Sequence, residues 1–410
     1  MTDNDIQRPW LDHYPAGVPA HIDIESLGTI IDLFETSIAR FPDRQALESF
    51  GASMSYRQLG DEAKRVALSL QRMGLKKGDR AAIMLPNVMA YTPLMFGILL
   101  AGGVVVNINP LYTSREVTLQ LNDSSARVIF VLENFAHTIT EALPDLKNLE
   151  SAVVVAPGDL LGWKGFLVNL VSRWVKKSVK PFRLPASMRY WHFSHLAGPQ
   201  SFRPPEIKAD DLAFLQYTGG TTGISKGAML THRNITVNVM QAECWLGPHF
   251  PNEQHQVMYT VLPLYHIFAL TACCMFMTKI GGTQILIANP RDIPALVKEL
   301  QKRAPTILGM VNTLFNLLAR APGIEKVDFS KLKVSIAGGM ATQAAVARSW
   351  HDLTGKPITE AYGLSETSPL ACSNRPDLTE FTGTVGYPVS STDVSIRTPD
   401  FFFLTFGLGL

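Results

Sequence analysis

The chain has 410 residues, 46% hydrophobic and 18% charged, with a formal net charge of +2. This is ample core material for two or three domains or subdomains, and it excludes a disordered chain. A balance so near neutral gives no argument for nucleic acid. The opening "MTDNDIQRPW" is polar and acidic, unlike a signal peptide. The longest apolar runs, such as Leu94 to Val106, fall short of the ~20 residues a spanning helix needs. Cys244, Cys273, Cys274 and Cys372 show no CxxC spacing, so reduced, buried thiols in a cytoplasmic protein are expected.

The first 155 residues alternate helix-like and strand-like segments. "IESLGTIIDLFETSIARF" has helical periodicity, and "SMSYRQLGDEAKRVALSLQRMGL" follows it with Ser53 or Ser55 as candidate N-cap. Ser55 with Gln58 fits a capping box, as does Thr113 with Glu116 at the head of "TSREVTLQLND". "DRAAIML", "VVVNIN", "ARVIFVL" and "SAVVVA" read as buried strands, and "AYTPLMFGILLAG" as a helix. Short β-rich runs between helical patterns predict parallel strands with helices on their faces.

Leu160 to Leu184 differs from its surroundings. Trp163, Leu167, Leu170 and Trp174 share one helical face, and Lys164, Arg173, Lys176, Lys177, Lys180 and Arg183 add six positive charges with no acid among them. A basic amphipathic helix with tryptophan suits an anionic membrane surface; the alternative is a helix docked on the protein body. The linker "LAGPQSFRPPEIKAD" then leads to a second alternation. "DLAFLQY", "QVMYTVL", "TQILIA", "PTILGM" and "KVSIAGG" read as strands, with "IPALVKELQKR" and "TQAAVARSWHDLTG" as helices. The expected fold class is α/β, with two αβα subdomains built on parallel-rich sheets and divided at residues 1–205 and 206–384.

Within the second half, "YTGGTTGISKGAML" (Tyr217 to Leu230) concentrates four glycines, three threonines, a serine and a lysine. No GK[ST] is present, so this is not the P-loop of standard NTPases. The chemistry still points to phosphate. Glycines let backbone N–H groups approach an anion, Thr218, Thr221, Thr222 and Ser225 offer hydroxyls, and Lys226 a mobile charge. The histidines show no HExxH or comparable metal-ligand spacing.

"YTGGTTGISKGAMLTHRN", together with "LPNVMAYTPLMFGILLAGGVVVNINPLYTSREV", "LPLYHIFALT", "GGMA" and "EAYGLSETSP", resembles the AMP-forming acyl and aryl ligases of the adenylate-forming superfamily. The wording is most similar to bacterial long-chain fatty-acid–CoA ligases. The resemblance implies that ATP activates a fatty carboxylate to acyl-AMP, which the thiol of coenzyme A then converts to acyl-CoA. A carboxylate is already ionised at neutral pH and needs no general base, only positioning, cations and Mg²⁺.

By resemblance, Tyr217, Thr218, Gly219, Gly220, Thr221, Thr222, Gly223, Lys226 and Gly227 wrap the triphosphate, and Thr218 with Glu366 holds Mg²⁺. Gly338, Gly339 and Met340 wall the adenine, Tyr362 stacks on it, and Gly363 lets the nucleotide approach. Ser365, where many members carry threonine, donates near the α-phosphate, and His266 lies beside the acyl carboxylate. The implied partners are a long-chain fatty acid, ATP and CoA, with peripheral contact to the inner membrane face and no nucleic acid. Some long-chain members gate the fatty-acid tunnel with a tryptophan where Leu270 stands here, and "FALTACCMFM" reads equally as tunnel lining or as core helix.

After "GTVGYPVSSTDVSIRTPD" the family continues through a β-rich segment and a "TGD" motif to a small lysine-bearing domain. Here the chain closes instead on "FFFLTFGLGL". Residues 385–410 are therefore expected to begin an incomplete β-barrel portion with an out-of-register tail from 401, and turnover is expected to be impaired by truncation. The competing expectations are a non-catalytic nucleotide- or lipid-binding remnant and an adenylating enzyme for another acid.

Overall fold

A computed structural model describes residues 8–184, 189–193, 196, 202–218, 225–247, 250 and 254–396. Helix α1 (Ile30–Arg40) and strands β1 (Gln45–Ser49) and β2 (Ala52–Ser55) come first. They lead to α2 (Tyr56–Arg72), β3 (Arg80–Met84), α3 (Tyr91–Leu100), β4 (Val104–Asn107) and α4 (Ser114–Ser124). The series continues with β5 (Val128–Leu132), α5 (Ala136–Ala142), β6 (Ser151–Val155), α6 (Trp163–Leu170) and β7 (Arg189–His192). A hairpin of β8 (Leu212–Thr218) and β9 (Lys226–Thr231) is followed by α7 (His232–Leu246), β10 (Val257–Thr260), α8 (Phe276–Lys279) and β11 (Thr283–Leu286). Then come α9 (Ile293–Leu300), β12 (Ile307–Met310), α10 (Asn312–Ala319), β13 (Val334–Ala337) and α11 (Ala344–Thr354). The last strands are β14 (Ile358–Gly363), β15 (Leu370–Ser373) and β16 (Tyr387–Pro388).

The strands form two sheets. One has seven strands in the order β7-β6-β5-β3-β4-β8-β9, parallel except for the β8–β9 hairpin. The other has nine, β16-β15-β14-β13-β12-β10-β11-β1-β2, parallel from β14 to β1 and antiparallel at both edges. The α/β class follows as expected. Neither sheet closes into a barrel: where a β-rich portion was expected, the described residues contribute β16, two residues on the edge of the nine-stranded sheet. The tail 401–410 lies outside the described residues. Each half of the chain lends strands to the other's sheet, β1 and β2 to the nine-stranded one and β8 and β9 to the seven-stranded one.

Burial explains why the elements form where they do. β5 and β6 are buried at every position, as strands covered on both faces must be, and hence read as unbroken apolar runs. α3 is buried on all sides, which is why Leu94 to Val106 is so apolar without spanning anything. Among the described residues no helix is long and apolar enough to cross a membrane. α2 packs on α3 at Gly97, where a Cβ would sit 2.5 Å from Cβ of Val66. The capping boxes Ser55/Gln58 and Thr113/Glu116 are both formed, Ser55 rather than Ser53 being the cap. The Tyr56 hydroxyl reaches the carbonyls of Met277 (3.1 Å) and Gly282 (2.8 Å), and a continuous apolar core joins the two sheets. All four cysteines are free; Cys273, Cys274 and Cys372 are buried, but Cys244 is only half-buried, a correction to the expectation.

α6 docks with its small face and turns its large one outward. Gly165 lies against Gly158 so closely that a Cβ on either would overlap the other's carbonyl. The Gly158 N–H donates to Asn169 Oδ1 (2.7 Å), and Ser172 is buried on the same side. Trp163 and Trp174 are each 75% exposed, with Phe166, Leu167, Leu170 and Val175 exposed beside them. Among the described residues, two of the cations have partners. Lys164 binds the Gly51 carbonyl, and Arg173 forms a two-point ion pair with the buried Glu133, at 3.0 and 2.6 Å to Oε2. Lys176, Lys177, Lys180 and Arg183 are exposed.

Candidate active site

The glycine-rich loop is the tip of the β8–β9 hairpin. Tyr217 pairs with Gly227 and Thr218 with Lys226 across the ladder, so the threonine and the lysine leave the two strands side by side. Gly219, Gly220, Thr221, Thr222 and Gly223 lie outside the described residues. Ser225 commits its hydroxyl to the Thr218 carbonyl at 2.7 Å, closing the base of the loop rather than offering a free donor. Among the described residues, Thr218 Oγ1 makes a long 3.5 Å contact to the Lys226 carbonyl. The Lys226 side chain is exposed. Tyr217 anchors the hairpin: its hydroxyl donates to Asp123 Oδ2 on α4 at 2.5 Å. Burial and that carboxylate raise its pKa. Gly227 leaves room for the Tyr217 ring, 3.1 Å from where a Cβ would lie.

The short turn Ser365–Thr367, which follows β14, packs against both β8 and β9. This brings Glu366, an exposed carboxylate, to the hairpin that carries Thr218 and Lys226. Thr218 and Glu366 are both oxygen donors, the kind Mg²⁺ takes when phosphate oxygens complete its shell, so their chemistry fits that ion.

Beside this turn opens a mostly apolar cavity of about 250 Å³. His266, Gly338, Gly339, Tyr362, Gly363 and Ser365, separated by up to a quarter of the chain, all line it. Met340, half exposed, is not in its lining. Gly339 has φ +80°, a left-handed conformation that glycine adopts without strain. At Gly363, where the resemblance implied approach of the nucleotide, the close neighbour within the protein is Pro369, whose carbonyl a Cβ would overlap.

His266 is exposed at the cavity mouth, while the protein around its ring lowers its pKa through desolvation. The Phe268 N–H points at His266 Nδ1 at 3.4 Å. Neutral His266 therefore carries its proton on Nε2, as a donor suited to a carboxylate. The run after His266, read as tunnel lining or as core helix, divides between a cavity wall and the core. It is a π-helical stretch, Ala269–Met275, that continues into α8. Phe268, Thr271, Ala272 and Phe276 face the cavity, while Leu270, Cys273 and Cys274 are core. Leu270, at the expected gate position, is fully buried.

The inner wall was missed at the sequence level. Asn238, Ala242, Trp245 and Leu246 of α7 line the cavity at spacings of four, three and one, a helical stripe that periodicity could have revealed. Trp245 is held by its Nε1–H on the Asn374 carbonyl (2.9 Å) and by the Tyr14 ring edge-on at 5.0 Å.

A family model of AMP-binding enzymes matches residues 34–401. The chain belongs to the AMP-binding enzyme family. It is 44% identical over 397 residues to a long-chain-fatty-acid–CoA ligase of Escherichia coli O157:H7, covering 96% of this chain and 70% of that one. The corresponding ligase of Haemophilus influenzae is 42% identical over 96% and 71%. Among solved structures, an anthranilate–CoA ligase in complex with anthranoyl-AMP superposes with a TM-score of 0.80, at 21% identity over 94% of this chain and 70% of that one. A long-chain-fatty-acid–CoA ligase from Archaeoglobus fulgidus gives 0.78, at 22% identity over 96% and 75%. These two likenesses establish the fold. The chain spans about 70% of the length of the curated relatives named.

Proposed function

We propose that this AMP-binding enzyme is a long-chain fatty-acid–CoA ligase, joining a fatty carboxylate to the α-phosphate of ATP with loss of pyrophosphate and then passing the acyl group of the acyl-AMP to the thiol of CoA with release of AMP. The observation that carries the reading is the apolar cavity whose mouth gathers His266, Gly338, Gly339, Tyr362 and Ser365 next to the turn that packs on the phosphate hairpin. Kinship to ligases named for long-chain fatty acids supports the acyl class. In this reading the acyl chain enters between α7 and the Ala269–Met275 stretch, and neutral His266 donates from Nε2 to its carboxylate. Tyr362 stacks on adenine against Gly338, Gly339 and Met340. The hairpin residues Tyr217 to Gly227 surround the triphosphate, with the Lys226 ammonium on its oxygens and the Ser365 hydroxyl near the α-phosphate. Thr218 and Glu366 would hold Mg²⁺, which when bound would supply positive charge to the phosphate oxygens.

The test is acid-dependent pyrophosphate release from ATP by the purified chain, run with fatty acids of graded length and with aryl and amino acids. Release should be greatest with long-chain fatty acids, and added CoA should yield the thioester. Release with aryl or amino acids alone, or with no acid in the panel, overturns the proposal.

The outward face of α6 favours one further element of this reading, contact with an anionic lipid surface. Trp163 on α6 and Trp174 in the π-helical turn Val171–Val175 that continues it are each 75% exposed, and the exposed Lys176, Lys177 and Lys180 follow Trp174, a pattern that suits an interfacial segment in which each nearby cation contributes about 1 kcal/mol.

A further inference from the structure

The two halves of the proposed reaction centre stand on different sheets. The phosphate hairpin belongs to the seven-stranded sheet, whereas His266 follows β10 of the nine-stranded one. Adenylation requires the acid's carboxylate to meet the α-phosphate in line, so the turn bearing His266 must be held at a fixed offset from the hairpin.

Buried polar side chains span that gap. Gln216 lies in β8 two residues before Thr218, and its Nε2 donates to the carbonyl of Tyr265, the residue before His266, at 2.7 Å. Its Oε1 accepts from Asn107 Nδ2 at 3.1 Å, Asn107 being its neighbour across the β4–β8 ladder. The Tyr91 hydroxyl sits 2.7 Å from Asn107 Oδ1 and 2.9 Å from the Leu264 carbonyl, sharing its proton between them. Asn87 donates to the carbonyls of Thr260 (2.8 Å) and Leu262 (2.9 Å) and accepts from the Leu264 N–H (2.8 Å). Asn87, Tyr91, Asn107 and Gln216 are each at most 3% exposed. The backbone from Thr260 to Tyr265 is thus gripped by three side chains from the other sheet's side of the molecule, Asn87, Tyr91 and Gln216, and Asn107 ties Tyr91 to Gln216. Buried polar networks that are fully satisfied make one arrangement unique.

We propose that Gln216, oriented by Asn107 and Tyr91, is a positioning residue: it locks the His266 turn to the phosphate hairpin and thereby sets the alignment of carboxylate and α-phosphate. The proposal rests on the adenylation reading above. Gln216 touches neither substrate in this scheme. Its loss should leave each substrate able to bind alone and slow their reaction, since a displacement of about 1 Å can cost about 10²-fold in rate.

The experiment compares the parent chain with Gln216→Leu and Tyr91→Phe. It measures kcat and KM for ATP and for fatty acid in pyrophosphate release, the dissociation constant of each substrate alone, and the unfolding midpoint. Gln216→Leu should lower kcat by about 10²-fold and Tyr91→Phe by about tenfold, with both dissociation constants within about threefold of the parent. Tyr91→Phe keeps the ring packing and removes one hydroxyl, so it preserves the test should Gln216→Leu fail to fold. An unchanged kcat in a folded variant, or losses confined to substrate affinity and melting, overturn the positioning role while leaving the ligase reading intact. Failure of the parent itself to release pyrophosphate with any acid overturns the ligase reading, and the positioning role falls with it.

Discussion

His232 makes the stability of the protein depend on mild acid. It is the first residue of α7, directly after the hairpin strand β9, and only 2% exposed. Its Nδ1 meets no hydrogen-bond partner among the described residues. Burial pushes its pKa down to about 4, against smaller opposing effects of Asp211 and Asp32. A helix N-terminus is also a poor place for a cation. Because the folded pKa lies below the unfolded value of ~6.5, the unfolded chain takes up the proton first as pH falls. The stabilisation from a neutral His232 is complete above about pH 6.5 and is lost progressively down to about pH 4. Between pH 7 and pH 5 this linkage removes about 2 kcal/mol. Replacing the ring by His232→Leu abolishes the titration, whatever its constant effect on stability. Urea unfolding of both proteins at pH 7 and pH 5 gives the two differences, and the parent should lose about 2 kcal/mol more than the variant. Equal losses would refute the argument that this imidazole is held neutral by its surroundings.

Lys226→Ala should weaken Mg-ATP binding by about 10- to 100-fold, the worth of one charge-assisted hydrogen bond. Calorimetry with a well-folded variant reads this directly, and unchanged affinity would exclude the lysine from the phosphate site. Gly363→Ala drives a methyl into the Pro369 carbonyl and should cost about 1–3 kcal/mol of stability, seen as a lowered melting midpoint together with weaker nucleotide binding. Replacing Trp163 and Trp174 together by serine should cut co-sedimentation with vesicles of anionic phospholipid by at least about tenfold and leave Mg-ATP affinity untouched. Vesicle binding that survives the double change would place the contact elsewhere.

Legibility followed burial. β3, β5 and β6 could be read because strands covered on both faces carry uninterrupted apolar residues, and the two predicted capping boxes because their partners lie three residues apart. β1 and β2, "QALES" and "ASMS", are edge-zone strands with mixed composition and passed unnoticed, as did β9, whose "KGAMLT" is partly exposed. The motif residues of the site were legible as chemistry, but their meeting was not. Nothing local announces that Ser365 and His266 share a cavity, that Gly363 yields to Pro369, or that Arg173 finds Glu133 forty residues away. The clamp built on Asn87, Tyr91, Asn107 and Gln216 was silent for the same reason, since each amide or hydroxyl alone looks like an ordinary polar interruption in an apolar run.

The exchange of strands between the sheets dictates an order of assembly during synthesis. The seven-stranded sheet has all its members once Thr231 has emerged. β1 and β2 are made before the other described strands, yet Leu47 and Glu48 find their parallel partners only at Gln284 and Ile285. Until then that early hairpin has an open edge, the kind of surface on which a nascent chain mispairs. Severing the polypeptide between the halves would for the same reason yield fragments that each lack a strand pair held by the other, so neither piece would be a self-sufficient folding unit.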